Sequence, residues 1–214
     1  MKAAFGIVKQ QVHAQVYESI KNAILNGELK PGTKLTQDEL AAKYQISRMP
    51  IRDALRILAN EKLVENIPNR GFTVSHYKDD ELQDTLFLRS ILEREAVKLA
   101  AGRLTDDDID SMEDLMERMD GCIRRNSLGR LPRLNSEFHF TLYNASPSRQ
   151  LLEFVGKLWD RFPRYAMLAT RESALVSQKH HARILECLKK GDYGKAGAIM
   201  EEHILTTYTN YTPR

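Results

Sequence analysis

The sequence predicts a mainly α-helical protein in two parts, with three helices and a β-hairpin in residues 1–78 and an all-α bundle in residues 79–214. Apolar residues recur at helical spacing along most of the chain, and strand character is confined to two short runs in the first part. Charge divides at the same point. Residues 1–78 contain 12 Lys and Arg against 7 Asp and Glu (+5), and the remainder contains 20 against 22 (−2). This division predicts two domains with different partners.

Composition excludes several classes of protein. A hydrophobic content of 42% is that of an ordinary globular chain. No apolar run reaches the roughly 18 to 20 residues that a membrane-spanning helix needs, and the N-terminal MKAAFGIVKQ is too short and too polar for a secretory signal. We therefore expect a cytoplasmic protein with no membrane partner.

The first two helices follow from spacing and capping. Apolar residues recur at helical intervals over residues 12–26, and Gly27 follows where a C-terminal glycine is expected. The turn sequence GELKPGTKL leads to Thr36, which can cap a short helix that runs to about Tyr44.

A third helix is predicted from Ser47 to about Glu61. Ser47 is a favourable N-cap residue, and Pro50 is tolerated in the first turn because N–H groups there have no helical partner. One face of this helix is apolar, and the other is cationic, with Arg48, Arg52 and Arg56.

Two extended runs, Leu63–Glu65 and Phe72–Ser75, surround the turn sequence IPNRG and predict a two-stranded wing. Three helices and this hairpin make a winged helix-turn-helix. In that fold the third helix enters the DNA major groove by its N-terminal end, where arginine can contact guanine or phosphate. Arginines on an amphipathic helix are also common as a solvated face, so the arginines alone leave both interpretations open.

The run IKNAILNGELKPGTKLTQDELAAKYQISRMPIRDALRILANEKLVENIPNRGFTV resembles the DNA-binding domain of the GntR family of bacterial transcription regulators. The combination of G.L.PG..L with SR.P.R.AL..L carries the resemblance, which covers about residues 12–76. It implies that the recognition helix and the wing tip contact operator DNA through Ser47, Arg48, Met49, Arg52, Arg70 and Gly71. Members of the family often contact DNA with an arginine of the second helix. The matching residue here is Asp38, which would repel phosphate, so we expect that contact to be absent.

The second part reads as helix after helix. Turn residues separate predicted helices at 80–102, 106–125, 131–145, 148–171 with a bend near Pro163, 174–190 and 193–209. An all-α bundle is the simplest account of this pattern.

Four side chains of the bundle are candidate metal ligands. Asn135 and His139 are four residues apart, on neighbouring turns of one helix. His181 lies within the apolar arc of its helix, whereas His180 points about 100° away. His203 lies on the inner side of the last helix. Three inward histidines can converge on zinc, nickel, iron or manganese, although a lone histidine on an apolar face is more often a satisfied core residue.

The bundle is similar to the FCD ligand-binding domain of the FadR-like branch of GntR regulators, through FLRSILEREAVKLAA, LNSEFHFTLYNAS and HHARILECLKKGDYGKAGAIMEEHI. The resemblance implies a divalent metal, zinc or nickel first, held by an aspartate and three histidines, with a small organic acid beside it. The histidines match His139, His181 and His203, but the aspartate position is Asn135. Arg89 is a candidate second anchor for the acid, or else forms an ion pair with a nearby glutamate.

These observations favour a homodimeric transcription regulator that binds an inverted-repeat DNA operator with an affinity tuned by a small organic acid. One alternative is a metal-dependent hydrolase with an accessory basic domain. No HExxH, P-loop, GxGxxG or GxSxG motif supports it. A second alternative makes the bundle a dimerisation unit without a ligand.

Overall fold

Helices make up most of the chain, which confirms the predicted fold class. The computed structural model describes residues 2–68, 71–162 and 170–209. The chain divides into two units, Met1–Lys78 and Asp79–Arg214. None of the helices in the described ranges combines the length and the apolar composition that a bilayer-spanning segment requires.

The described residues of the first unit form three helices and three short strands: α1 (Lys2–Leu25), β1 (Lys34–Leu35), α2 (Gln37–Tyr44), α3 (Arg48–Asn60), β2 (Val64–Ile67) and β3 (Gly71–Val74). The strands form one antiparallel sheet in the order β1–β3–β2. The hairpin of β2 and β3 is the predicted wing. Strand β1 was not predicted, because two residues are too few to show an alternating pattern.

Capping and turn geometry define the start and the end of α2 and the start of α3. The Thr36 hydroxyl oxygen accepts a hydrogen bond from the Glu39 amide (3.2 Å), as predicted for an N-cap. Gln45 adopts a left-handed conformation (φ 56°), which ends α2 and reverses the chain toward α3. Ser47 occupies the N-cap position of α3, but its side chain makes no capping hydrogen bond.

The core of this unit lies between α1, α3 and the sheet. Ile20, Ile51, Leu55 and Leu58 are fully buried, so the predicted apolar face of α3 does point inward. Burial of one face leaves the arginines of the opposite face exposed.

The second unit is a bundle of helices: α4 (Asp79–Leu99), α5 (Asp106–Arg124), α6 (Leu131–Asn144), α7 (Arg149–Trp159), α8 (Arg171–Lys189) and α9 (Tyr193–Thr209). Thr105 and Thr170 begin α5 and α8 with capping boxes. The predicted helix 148–171 is wrong in its length, because α7 ends at Trp159. The predicted bend near Pro163 lies outside the described residues.

Helix α4 packs against α7 and α9, and α5 packs against α6 and α8. Gly197 permits the approach of α9 to α4. A Cβ atom at this position would lie 3.1 Å from the backbone oxygen of Arg94 and 3.3 Å from its Cγ atom. The lack of a side chain at Gly197 thus sets the distance between the two helices.

We expect Gly197→Ala to lower the free energy of unfolding by about 1–3 kcal/mol, because the new methyl group forces α9 away from α4. Gly194→Ala on the same helix is the matched control. Its Cβ would meet nothing closer than 3.8 Å, and alanine favours helix, so stability should stay equal or rise by up to about 1 kcal/mol. Urea denaturation of both variants measures the difference, and equal stabilities would contradict this account of the contact.

Candidate metal centre and nucleic-acid interface

Three histidines from three helices meet in the core of the bundle. His139 lies on α6, His181 on α8 and His203 on α9, and each is at most 3% exposed. The Nε2 atom of His139 lies 3.3 Å from that of His181 and 3.2 Å from that of His203. One ligand atom from each residue falls within 4.8 Å of the other two, so a single ion could bind all three.

The three imidazoles are neutral at physiological pH. Burial lowers the pKa of His181 to about 3, and burial together with the charges of neighbouring histidines lowers the pKa of His139 and His203 well below 6.5. A neutral imidazole keeps a lone pair for a metal ion, which a protonated one lacks.

Hydrogen bonds orient the imidazole of His181. Its Nδ1 atom lies 2.9 Å from Oε1 of Gln178. The amide of Gln178 is itself oriented, because its Nε2 group donates to the Met116 carbonyl oxygen (3.1 Å) and to the Asp120 carboxylate (2.8 Å). Oε1 is therefore an acceptor, so Nδ1 of His181 carries the proton and Nε2 presents its lone pair to the cluster.

His139 is oriented in the same way through Tyr143. Its Nδ1 atom lies 2.9 Å from the Tyr143 hydroxyl, which donates its own proton to the Glu93 carboxylate. The hydroxyl oxygen then accepts from Nδ1–H, and Nε2 of His139 is left as an acceptor. Two of the three candidate ligands are thus held in the tautomer that metal binding requires.

Asn135, one helical turn before His139, meets one further requirement for a ligand. It is 2% exposed, and no hydrogen-bond donor among the described residues reaches its Oδ1 atom. A buried carbonyl oxygen without a partner is costly, and a cation would satisfy it. Three neutral nitrogens and one neutral oxygen fit a divalent ion such as zinc or nickel.

Arg89 and Glu93 lie beside this cluster on α4, and both are fully buried. The Arg89 Nε group donates to Glu93 (2.6 Å), and the guanidinium group lies 4.3 Å from the centre of the Trp159 ring. The ion pair that the sequence analysis gave as the alternative for Arg89 is therefore present. Effector binding by Arg89 stays a prediction.

Glu93, Tyr143 and Gln178 were not singled out by the sequence analysis. Glu93 accepts hydrogen bonds from Arg89, Tyr143 and the Trp159 indole N–H (3.0 Å), and so connects α4 to α6 and α7. The sequence contains only a weak indication of the role of Glu93. Arg89 and Glu93 have the i, i+4 spacing of many surface ion pairs, and the sequence does not mark this one as buried.

Surface grooves lie elsewhere in the bundle. One groove of about 480 Å³ lies between α5 and α8, and another of about 580 Å³ lies between α5 and α6. The three histidines line neither of them, so the buried cluster is the better candidate site on chemical grounds.

The predicted nucleic-acid contacts in the first unit are exposed where the structure describes them. They are Ser47, Arg48, Met49 and Arg52 at the start of α3, and Gly71 at the start of β3. Arg70 lies outside the described residues. Gly71 has a φ of 86°, a conformation that favours glycine, and a Cβ atom there would meet nothing within 4 Å.

Asp38 on α2 forms an ion pair with Arg48. Both side chains are well exposed, at 64% and 71%. A lost DNA contact was predicted at Asp38, and the structure shows in addition that its carboxylate pairs with an arginine at the start of α3.

The chain thus joins a winged helix with an exposed cationic helix start to a helical unit that buries a cluster of three histidines. A profile of the family "Bacterial regulatory proteins, gntR family" matches residues 12–74, and a profile of the FCD domain matches residues 84–206. The chain belongs to the GntR family of transcriptional regulators, in the group that carries a C-terminal FCD domain.

Individual relatives agree with this assignment. The Nta operon transcriptional regulator of Aminobacter aminovorans is 32% identical over 175 residues, which cover 82% of each chain. The HTH-type transcriptional repressor GlaR of Escherichia coli is 27% identical over 200 residues, or 89% of this chain and 91% of GlaR. The structure of E. coli McbR/YncC is similar over 94% of this chain and 99% of its own, with a TM-score of 0.81 and 25% identity.

The matching families and relatives are transcriptional regulators and not enzymes. The hydrolase alternative therefore has no support, and the chain is a transcriptional regulator of the GntR and FCD type.

We expect protein incubated with excess Ni²⁺ in an acetate buffer to hold about one metal ion per chain, and His181→Ala to abolish this binding, because the variant loses one of three nitrogen ligands. His180→Ala is the matched control. His180 is the adjacent residue and is also buried, and its ring packs edge-on against that of His203 (5.6 Å between ring centres). Its Nε2 atom lies 3.4 Å from Glu202, and it is not among the residues whose ligand atoms converge. Elemental analysis by mass spectrometry counts the metal, and equal metal content in the two variants would rule out His181 as a ligand.

Proposed function

We propose that the protein is a homodimeric, cytoplasmic transcription regulator that binds an inverted-repeat operator and whose affinity for DNA changes when a small organic acid binds in the bundle. The observation that carries this proposal is the convergence of three neutral histidines, with Asn135 one turn away, in the core of a chain that also carries a DNA-binding domain. The name of the similar GlaR, a repressor, supports repression as the mode of action.

DNA recognition rests on the start of α3. Ser47, Arg48 and Met49 are exposed together at the end of the helix that enters the major groove in winged helix-turn-helix proteins. Arginine can donate two hydrogen bonds to one guanine, whereas serine and backbone N–H groups contact phosphate. Arg52, one turn further along, lies on the same exposed side.

A dimer is the expected binding unit, because one winged helix makes few contacts with base edges. Two copies related by a two-fold axis double those contacts and read an inverted repeat. A dimer also gives a ligand inside the bundle a way to change the affinity for DNA, because the two DNA-binding units can be arranged in more than one way. Ligand and operator need only favour different arrangements of the two DNA-binding units.

The proposed ligand is a carboxylate. His139, His181, His203 and Asn135 would hold a divalent ion, which supplies a Lewis-acid position for a carboxylate oxygen. The Arg89 guanidinium group is buried near the cluster, where Glu93 balances its charge, and its planar shape suits a carboxylate. A ligand bound at the cluster would act on α4, α6, α8 and α9 together, since each contributes a residue to the cluster or its surroundings.

We expect Arg48→Ala to weaken operator binding by about 1–3 kcal/mol and to broaden base preference at one position of each half-site, because a bidentate base contact is lost. Selection from random DNA with the native protein, followed by binding titrations, measures both effects. Arg118→Ala is the control, since Arg118 is an exposed arginine of the bundle paired with Asp114. An unchanged operator affinity in Arg48→Ala would contradict the base contact.

We expect Asp38→Ala to increase affinity for random DNA and to reduce the preference for operator, each by about 1 kcal/mol or less. Removal of the carboxylate abolishes a repulsion from phosphate and frees Arg48 from its partner. Glu39→Ala, at the next exposed acid, removes the same charge without touching this ion pair. If both variants lose operator preference equally, the pair with Arg48 has no role in recognition.

A further inference from the structure

Asn135 leaves the set of candidate metal ligands without a negative charge. All four candidate ligands are uncharged, since an imidazole must be neutral to bind a metal and an amide oxygen carries no formal charge. An aspartate at this position would contribute one negative charge. The ligand set of this chain contributes none, so a divalent ion would keep its full charge of +2.

The surroundings do not supply the missing negative charge. Among the described residues of the bundle, the buried ionic side chains are Arg89 and Glu93, which pair with each other and cancel. Two further acids lie near the histidines. Asp120 accepts from Gln178 and is partly exposed, and Glu202 pairs with His180 and Arg183 and is half exposed, so water screens both.

An uncompensated charge in a buried site is unfavourable, because the site replaces water with a medium of low dielectric constant. An anion beside the ion removes most of this cost. The free energy gained in this way is a coupling between the metal ion and the anion. Each of the two therefore increases the affinity of the site for the other by the same factor.

We propose that Asn135 makes metal binding depend on a small anion, so that the metal ion and an anionic ligand such as a carboxylate bind cooperatively and neither binds tightly alone. The inference rests on the metal site proposed above and adds to it a chemical class of ligand and a form of regulation. The regulator would respond to metal and anion together, as a sensor that requires both.

The native protein alone provides the first test. Metal-free protein is titrated with Ni²⁺ in competition with a chromophoric chelator. The buffer contains HEPES and perchlorate, and the titration is repeated after addition of acetate or of inorganic phosphate. The affinity of the chelator for Ni²⁺ is calibrated in each buffer. We expect at least one of the two anions to tighten Ni²⁺ binding by about 10-fold or more, which is within the range of coupled binding sites. Equal affinities with and without both anions would overturn the inference and leave the metal site intact.

Asn135→Asp provides the second test, because it supplies the missing charge within the protein. We expect it to bind Ni²⁺ more tightly than the native protein in perchlorate, and to respond to acetate or phosphate by less than about 2-fold. Asn144→Asp is the matched control on the same helix. Asn144 is exposed, so this variant should keep the native dependence on the anion.

Circular dichroism shows whether each variant folds. If Asn135→Asp does not fold, the titration of the native protein alone decides whether metal binding depends on the anion. A variant that folds and keeps the native anion dependence would overturn the role of Asn135. If neither the native protein nor Asn135→Asp binds Ni²⁺ in any buffer, the inference and the proposed metal site both fail. That result differs from anion-independent binding, which overturns the inference alone.

Discussion

The buried carboxylate of Glu93 is the group on which the arrangement of the bundle depends. A charged carboxylate with no exposed surface is tolerated only when its oxygens are hydrogen-bonded and its charge is balanced. Arg89 balances the charge, and Tyr143 and Trp159 donate from α6 and α7. These bonds fix α6 and α7 relative to α4. Since Tyr143 also contacts His139, the same carboxylate orients one of the candidate metal ligands.

Glu93 and Gln178 play equivalent parts for two different histidines of the cluster. Glu93 acts on His139 through Tyr143, and Gln178 acts on His181 directly while its amide is held by α5. Tyr143 and Gln178 therefore determine which nitrogen of each imidazole carries the proton, and hydrogen bonds to Glu93 and to α5 hold these two side chains in place. Such arrangements hold ligands ready before the ion arrives and reduce the entropy lost on binding.

Helical periodicity was enough to predict the architecture and the inward position of His181, although His180 is buried as well. Capping chemistry predicted the start of α2, and the hairpin followed from its turn. The strand β1 and the end of α7 were not predictable, because β1 has two residues and α7 has no breaking residue at Trp159. The bonds of Glu93 and the pair of Asp38 with Arg48 depend on contacts between helices, and one sequence contains no direct record of those contacts.

Trp159 is the only tryptophan of the chain. Its ring centre lies 5.3 Å from that of His139, its face contacts the Arg89 guanidinium group, and its N–H group binds Glu93. Indole emission depends on nearby charges and on quenching groups within a few ångströms. The protein therefore carries one intrinsic fluorophore at its candidate ligand site, and its emission reports on that site without a signal from any other tryptophan.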